Sequence, residues 1–212
     1  MNTSKQVNVS LGTRCTLACP KCRRTQFEEA GIPIDGGDLS FDDFKKLASH
    51  FHDLILCGGV GDPVMHPQFI EMLRYTKKNG NRVSVSNAAS HRPEHWYKDA
   101  FTANPDATWI FGIDGLPKGS HKYRINQDGV KLFKMAQMAV GMDITTVWQY
   151  IIFKYNENDI GAAEKLAKDN GMNFKVWKSD RWDNKQDPYL PTKKEHFNNG
   201  RRQRPAHFVG EV

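Results

Sequence analysis

The chain has 212 residues, a formal net charge of +6 and a sequence pI near 9.1. This length is sufficient for one sizeable hydrophobic core, and an aromatic content of 11% excludes an intrinsically disordered chain. No apolar run approaches the ~20 residues of a membrane-spanning helix, and residues 1–5 contain no signal-peptide core. We therefore expect a monomeric, cytoplasmic protein with reduced thiols and no membrane partner.

The predicted elements alternate along the chain between short apolar runs and helical periodicity. Alternating apolar residues predict a first strand over residues 7–11, and Ser40 is a predicted N-cap of the first helix, over residues 41–51. The remaining predictions are helices over 67–79, 91–101, 129–140 and 159–170, and strands over 54–57, 82–86, 108–114, 145–153 and 173–178.

This βα alternation predicts an α/β fold with a parallel sheet and right-handed crossovers. Six strands do not close an eight-stranded barrel, so we predict a partial (β/α)6 parallel barrel over residues 1–180. The periodicity is lost after about residue 180. Residues 181–212 are therefore predicted to be a basic, irregular C-terminal extension.

Three cysteines follow the first predicted strand: Cys15, Cys19 and Cys22 have the spacing C-x3-C-x2-C. Three thiolates on one loop can hold three irons of a cubic iron–sulfur cluster, which leaves the fourth iron free to bind a small molecule. A zinc site with a distant fourth ligand, such as His50 or Cys57, is the alternative metal interpretation. Otherwise Cys57 is predicted to be a buried, inert residue at a strand end.

Other polar or glycine-rich segments follow later strands, namely residues 58–63, 86–87 and 114–115. Binding sites in parallel α/β sheets gather at the carboxyl ends of the strands. We therefore expect these segments and the cysteine loop to meet at one rim.

In this order the segments resemble the radical S-adenosylmethionine (radical SAM) superfamily, over roughly residues 6–178. The cysteines resemble its cluster motif, and residues 58–63 resemble its glycine-rich turn. Residues 113–115 and 121–124 resemble paired motifs of its peptide-maturase branch, in which Gly112 replaces an expected serine. The resemblance implies S-adenosylmethionine contacts at Gly58, Gly59, Gly61, Asp62, Ser86, Asn87, Asp114, Arg124 and Ile152.

The resemblance also implies a [4Fe–4S] cluster that reductively cleaves S-adenosylmethionine and generates a 5′-deoxyadenosyl radical. An external electron donor, such as flavodoxin, ferredoxin or a chemical reductant, is implied as a partner. Because no cysteine follows Cys57, we expect no auxiliary cluster.

Alternatives remain for several charged residues near these motifs. Asp62 either bonds the cosubstrate amine or caps the next helix. Arg124 either binds the cosubstrate carboxylate bidentately or forms a surface salt bridge. Lys21, Arg23 and Arg24 either offset the charge of the cluster or form a solvated turn, and we expect the solvated turn for at least two of them.

The substrate is predicted from charge placement. Residues 193–212 carry a net charge of +3, half of the total, and Trp177 and Trp182 alternate with cations as on base-stacking surfaces. We therefore favour an RNA such as tRNA, modified by methylation or methylthiolation, with Trp177, Trp182, Arg201, Arg202 and Arg204 as candidate contacts. The alternatives are radical modification of a peptide or small molecule, and a non-catalytic iron–sulfur or zinc module.

Overall fold

The computed structural model describes residues 5–182 and 184–197. Its single sheet contains six parallel strands in sequence order: β1 (Gln6–Val9), β2 (Asp53–Leu56), β3 (Arg82–Asn87), β4 (Thr108–Gly112), β5 (Thr146–Ile152) and β6 (Asn173–Lys178). In the described part of the chain, β1 and β6 do not pair with each other, so the sheet is open. The predicted partial (β/α)6 parallel barrel is confirmed.

Within residues 5–182 and 184–197, six α-helices accompany these strands: α1 (Arg23–Glu29), α2 (Phe41–His50), α3 (Phe69–Asn79), α4 (Glu94–Ala103), α5 (Gly129–Gly141) and α6 (Ile160–Asp169). The sequence predicted five, because it missed α1, a short helix directly after the third cysteine. The predicted N-cap is confirmed, since the amide of Asp43 donates to Ser40 Oγ at 3.1 Å. Gly80 ends α3 with a φ of 75°, which favours glycine.

Aromatic side chains form much of the core between the sheet and its helices. Trp109 of β4 is fully buried and makes an edge contact with Phe101 of α4, with ring centroids 4.9 Å apart. Phe69 of α3 packs against the same indole. This packing fixes β4 and hence the position of the rim residues that follow it. Among the described residues, no helix has the length and apolarity needed to cross a membrane.

Candidate functional site

The cysteine loop connects β1 to α1, and Cys22 is the N-cap residue of that helix. All three of its cysteines are free and half-buried. The amide of Cys22 donates to the Cys19 carbonyl at 2.9 Å, and the amide of Ala18 donates to the carbonyl of Ile125 at 3.1 Å. The loop is therefore hydrogen-bonded both within itself and to the segment after β4.

The thiols of this loop lie in a weakly solvated environment. Burial, followed by the nearby Asp62 carboxylate, raises the pKa of Cys15 to about 12. Burial also raises the pKa of Cys19 to about 11, although Arg124 opposes this shift. Thiolates in such a place require compensating positive charge, which bound iron supplies. The donor set therefore fits an iron–sulfur cluster.

Buried polar atoms without partners surround the same loop. Thr16 Oγ1, Arg24 Nε and Thr25 Oγ1 make no hydrogen bond to any residue that the structure describes. Buried groups of this kind are costly unless another group satisfies them, which again fits a bound cofactor. In the described ranges, no group of three or more His, Cys, Asp or Glu side chains is arranged to hold a single metal ion.

The basic residues of the loop are not the solvated turn that the sequence predicted. Lys21 Nζ lies 2.8 Å from Asp187 Oδ2, and the Lys21 side chain is 12% exposed. The guanidinium of Arg24 bonds the Leu17 carbonyl and pairs with Glu28. The expectation of at least two solvated cations is therefore wrong, because two of the three side chains form these partly buried pairs.

The glycine-rich turn after β2 is packed against the start of the cysteine loop. A Cβ at Gly58 would overlap the carbonyl of Gly61, and a Cβ at Gly61 would overlap the carbonyl of Gly12. The amide of Gly59 donates to Ser10 Oγ at 3.1 Å. The absence of a side chain at Gly58 and Gly61 is thus required by packing within the protein. Contacts of this turn with S-adenosylmethionine stay a prediction.

Asp62 connects the ends of β2 and β3. Its Oδ2 accepts from the amides of Ala88 at 2.8 Å and Ala89 at 2.9 Å, and its Oδ1 accepts from the amide of Val64 at 3.2 Å. The bond to Val64 caps the short 3-10 helix Pro63–Met65. The helix cap considered for Asp62 is thus present, and contact of Asp62 with the cosubstrate amine stays a prediction.

The end of β3 contributes Ser86, which is half-buried, and Asn87, which is buried. The side-chain amide of Asn87 donates to the hydroxyl of Tyr97 at 2.8 Å, whereas its Oδ1 has no partner among the described residues. Ile152 ends β5 and is 2% exposed. The cosubstrate contacts predicted for these three residues remain predictions.

Asp114 and Arg124 form an ion pair at the rim after β4, with 2.8 Å between Oδ2 and Nε. The carboxylate side chain is fully buried and the arginine side chain is 11% exposed, so the surface salt bridge considered from the sequence is wrong. Burial opposes the arginine charge, but Asp114 and the Cys19 sulfur together raise the pKa of Arg124 above its usual value. Arg124 is therefore a fixed cation next to the cysteine loop.

Gly112 provides room for this cation. An ideal Cβ at Gly112 would lie 2.8 Å from Nη2 of Arg124 and 3.1 Å from its Cζ. The glycine that replaces the expected serine thus allows the guanidinium to lie against the end of β4.

The sequence did not predict the role of Gln127 at this rim. Its Nε2 donates to the carbonyls of Ala88 at 2.7 Å and Gly112 at 2.9 Å, and its Oε1 accepts from the hydroxyl of Ser120. That hydroxyl in turn accepts from the amide of Asp114 at 2.9 Å. Gln127 therefore joins the ends of β3 and β4. No sequence motif marks it.

The remaining predicted residues are dispersed. Trp177 lies on β6 and is 44% exposed, with Lys175 Nζ 4.9 Å from its ring centroid, whereas Trp182 packs edge-on against Phe153. Arg201, Arg202 and Arg204 lie outside the described residues. Cys57 is exposed, so the prediction of a buried residue is wrong, because β2 ends one residue earlier.

Comparison with known proteins gave one curated relative and several solved structures, and no family model matches the chain. The relative is the tungsten-containing aldehyde ferredoxin oxidoreductase cofactor-modifying protein of Pyrococcus furiosus, 30% identical over 118 residues. The match covers 53% of this chain and 32% of that protein. The chain thus spans about a third of the length of this relative.

The solved structures include SuiB from Streptococcus suis. SuiB bound to S-adenosylmethionine has a TM-score of 0.68 and 11% identity, covering 90% of this chain and 44% of that one. SuiB bound to its precursor peptide SuiA has a TM-score of 0.67 and 13% identity, covering 82% and 39%.

A third structure is methylornithine synthase (PylB), with a TM-score of 0.63 and 14% identity, covering 81% of this chain and 51% of that one. The chain therefore shares its fold with SuiB and with methylornithine synthase.

Proposed function

We propose that this chain is a radical SAM enzyme that holds a [4Fe–4S] cluster on Cys15, Cys19 and Cys22 and binds S-adenosylmethionine at the adjoining rim. The observation that carries the proposal is the position of the cysteine loop. Its three half-buried thiols follow β1 of a parallel sheet, and Arg124 of the buried Asp114–Arg124 pair acts electrostatically on Cys19. The fold shared with SuiB, which has been solved with S-adenosylmethionine, supports it.

A cluster on Cys15, Cys19 and Cys22, reduced by an external electron donor, would supply the one electron needed to cleave S-adenosylmethionine to methionine and a 5′-deoxyadenosyl radical, which would take a hydrogen atom from the substrate. The cation of Arg124 stabilises negative charge at Cys19. Its Nε lies 2.8 Å from Oδ2 of Asp114, and a guanidinium can bind a second carboxylate through its remaining N–H groups. Arg124 would thus orient the methionine end of the cosubstrate.

The other residues of the rim position these groups. Asp62 connects the glycine-rich turn to β3, and Gln127 connects β3 to β4. The hydrogen bonds of both side chains are buried or partly buried, which helps to preserve the geometry of the site. The test is anaerobic reconstitution with iron and sulfide, followed by reduction in the presence of S-adenosylmethionine. We expect 5′-deoxyadenosine from the wild-type protein and none from Cys19→Ala.

For the substrate we propose a peptide. SuiB has been solved with its precursor peptide, and methylornithine synthase and the Pyrococcus cofactor-modifying protein also carry names that do not refer to RNA. Nothing in these comparisons supports the RNA substrate that charge placement favoured. The reconstituted enzyme should be incubated separately with a peptide pool and with bulk tRNA. A mass change in a peptide supports the proposal, and a mass change confined to tRNA contradicts it.

A further inference from the structure

An ion pair links the cysteine loop to a distant part of the chain. Lys21 lies between the second and third cysteines, and its Nζ is 2.8 Å from Oδ2 of Asp187. The lysine side chain is 12% exposed and the aspartate side chain 1% exposed. A pair this poorly solvated is costly to break by removing one partner. Asp187 therefore restricts the motion of the loop that carries the cysteines.

Asp187 is itself held in place by its neighbours in residues 184–197, here called the C-terminal segment. Its Oδ1 accepts from the amide of Tyr189 at 2.9 Å. The ring of Tyr189 packs edge-on against Tyr123, with centroids 5.2 Å apart, and its carbonyl accepts from the amide of Lys154 at 3.0 Å. These contacts attach the segment to the rim after β4 and β5.

Glu157, shortly after β5, binds the far end of the C-terminal segment. Its buried carboxylate accepts from the amides of Thr192 at 2.9 Å and Lys193 at 3.2 Å, and His196 Nδ1 lies 3.2 Å away. The hydroxyl of Thr192 donates to the same carboxylate. Four polar groups thus converge on one buried carboxylate, and together they fix the far end of the C-terminal segment against the residues that follow β5.

The cysteine loop has irregular backbone, so ordering it around a cofactor costs conformational entropy. A loop that is already ordered before the cofactor arrives avoids most of that cost. We propose that the C-terminal segment holds the cysteine loop in its cluster-binding conformation, with Asp187 and Glu157 as positioning residues. This inference rests on the function proposed above.

The test is amide hydrogen exchange on the metal-free, full-length protein. The reporters are two amides of the loop: that of Ala18, which donates to the carbonyl of Ile125, and that of Cys22, which donates to the carbonyl of Cys19. In Asp187→Asn we expect both to exchange at least about tenfold faster than in wild type. Asp180→Asn is the matched control, because it makes the same change at an exposed aspartate near the same segment, and it should leave both rates unchanged.

A second variant acts from the far end of the segment. Glu157→Gln removes the charge that Thr192, Lys193 and His196 face, and it should accelerate the same two loop amides while core amides of β4 keep their rates. Asp187→Glu should restore slow exchange. If neither Asp187→Asn nor Glu157→Gln accelerates the loop amides, the inference is overturned.

The reconstituted protein supplies a second measurement. Asp187→Asn should lose iron to a chelator several-fold faster than wild type, and Asp180→Asn should match wild type. Equal rates of iron loss in Asp187→Asn and wild type would contradict the inference. Hydrogen exchange is measured on the metal-free protein, so its result does not depend on cluster binding. A wild-type protein that never binds a cluster would contradict the proposed function, and the exchange rates would still test the role of the C-terminal segment.

Discussion

Arg124 and Asp114 form a buried ion pair, with 2.8 Å between Nε and Oδ2, and the guanidinium of Arg124 acts electrostatically on Cys19. One cation is therefore shared between a carboxylate that fixes it and a cysteine whose thiolate form it favours. In the loop carrying this arginine, the carbonyl of Ile125 also accepts a hydrogen bond from the amide of Ala18. The site is thus built by contacts between two loops that lie more than a hundred residues apart in the sequence.

Removing the carboxylate should leave the arginine charge buried without a partner. We expect Asp114→Asn to lower the free energy of unfolding by about 3–5 kcal/mol, the usual cost of breaking a buried pair. Urea denaturation measures this loss. Adding Arg124→Met should recover part of it, since the unpaired charge is then gone. Strictly additive losses in the double variant would contradict this account of the pair.

Introducing a serine at position 112 should create a steric conflict with Arg124, since a Cβ there would lie 2.8 Å from Nη2. The guanidinium cannot move freely, because Asp114 holds it. We expect Gly112→Ser to lower the free energy of unfolding by about 1–3 kcal/mol. Gly161→Ser is the control, because nothing lies within 4 Å of a Cβ at that helical position. Equal stability of Gly112→Ser and wild type would show that the close approach is unimportant.

The exposed Cys57 should be dispensable for metal binding, in contrast to the three loop cysteines. After anaerobic reconstitution, Cys57→Ser should retain about four irons per chain, as one [4Fe–4S] cluster requires. Cys19→Ser should lose most of that iron. Colorimetric determination of iron and sulfide measures both variants. Loss of metal from Cys57→Ser, with no loss from Cys19→Ser, would favour the alternative metal site in which Cys57 is a ligand.

Glu157 should make stability depend on pH. Burial acts to raise the pKa of Glu157, but hydrogen bonds from Thr192, Lys193 and His196 outweigh it and hold that pKa below its usual value. Its stabilising contribution is therefore present above the unfolded-state pKa of about 4.3 and is lost as the pH falls through the folded-state value.

The corresponding experiment compares wild type with Glu157→Gln by urea denaturation at several pH values. We expect a difference in unfolding free energy of about 1.5–3 kcal/mol at neutral pH, as for hydrogen bonds to a charged group. The difference should shrink below about pH 4. A difference that is constant from neutral to acidic pH would rule out the carboxylate charge as its cause.

Much of the fold follows from local sequence patterns. All six strands were predicted within about two residues, and β6 matches residues 173–178 in full. Ser40 and Gly80 mark helix ends through short-range chemistry that a sequence displays directly. The α1 helix escaped prediction because its seven residues offer too few turns for an apolar period to emerge.

The site was less accessible from the sequence, because its contacts join residues far apart in the chain. The motifs correctly placed Asp114 and Arg124 at the rim, but nothing local shows that they pair with each other. Likewise, the loss of periodicity after about residue 180 predicts only a basic, irregular extension over residues 181–212, and the three-dimensional structure shows that Asp187 meets Lys21. Long-range ion pairs leave no periodic signal.

We propose that the three loop cysteines support reductive cleavage of S-adenosylmethionine. The most direct measurement is 5′-deoxyadenosine produced after anaerobic reconstitution and reduction, quantified for wild type, Cys57→Ser and Cys19→Ala. We expect product from wild type and Cys57→Ser and none from Cys19→Ala. Undiminished product from Cys19→Ala, or its absence from a wild-type protein that has incorporated iron and sulfide, would contradict it.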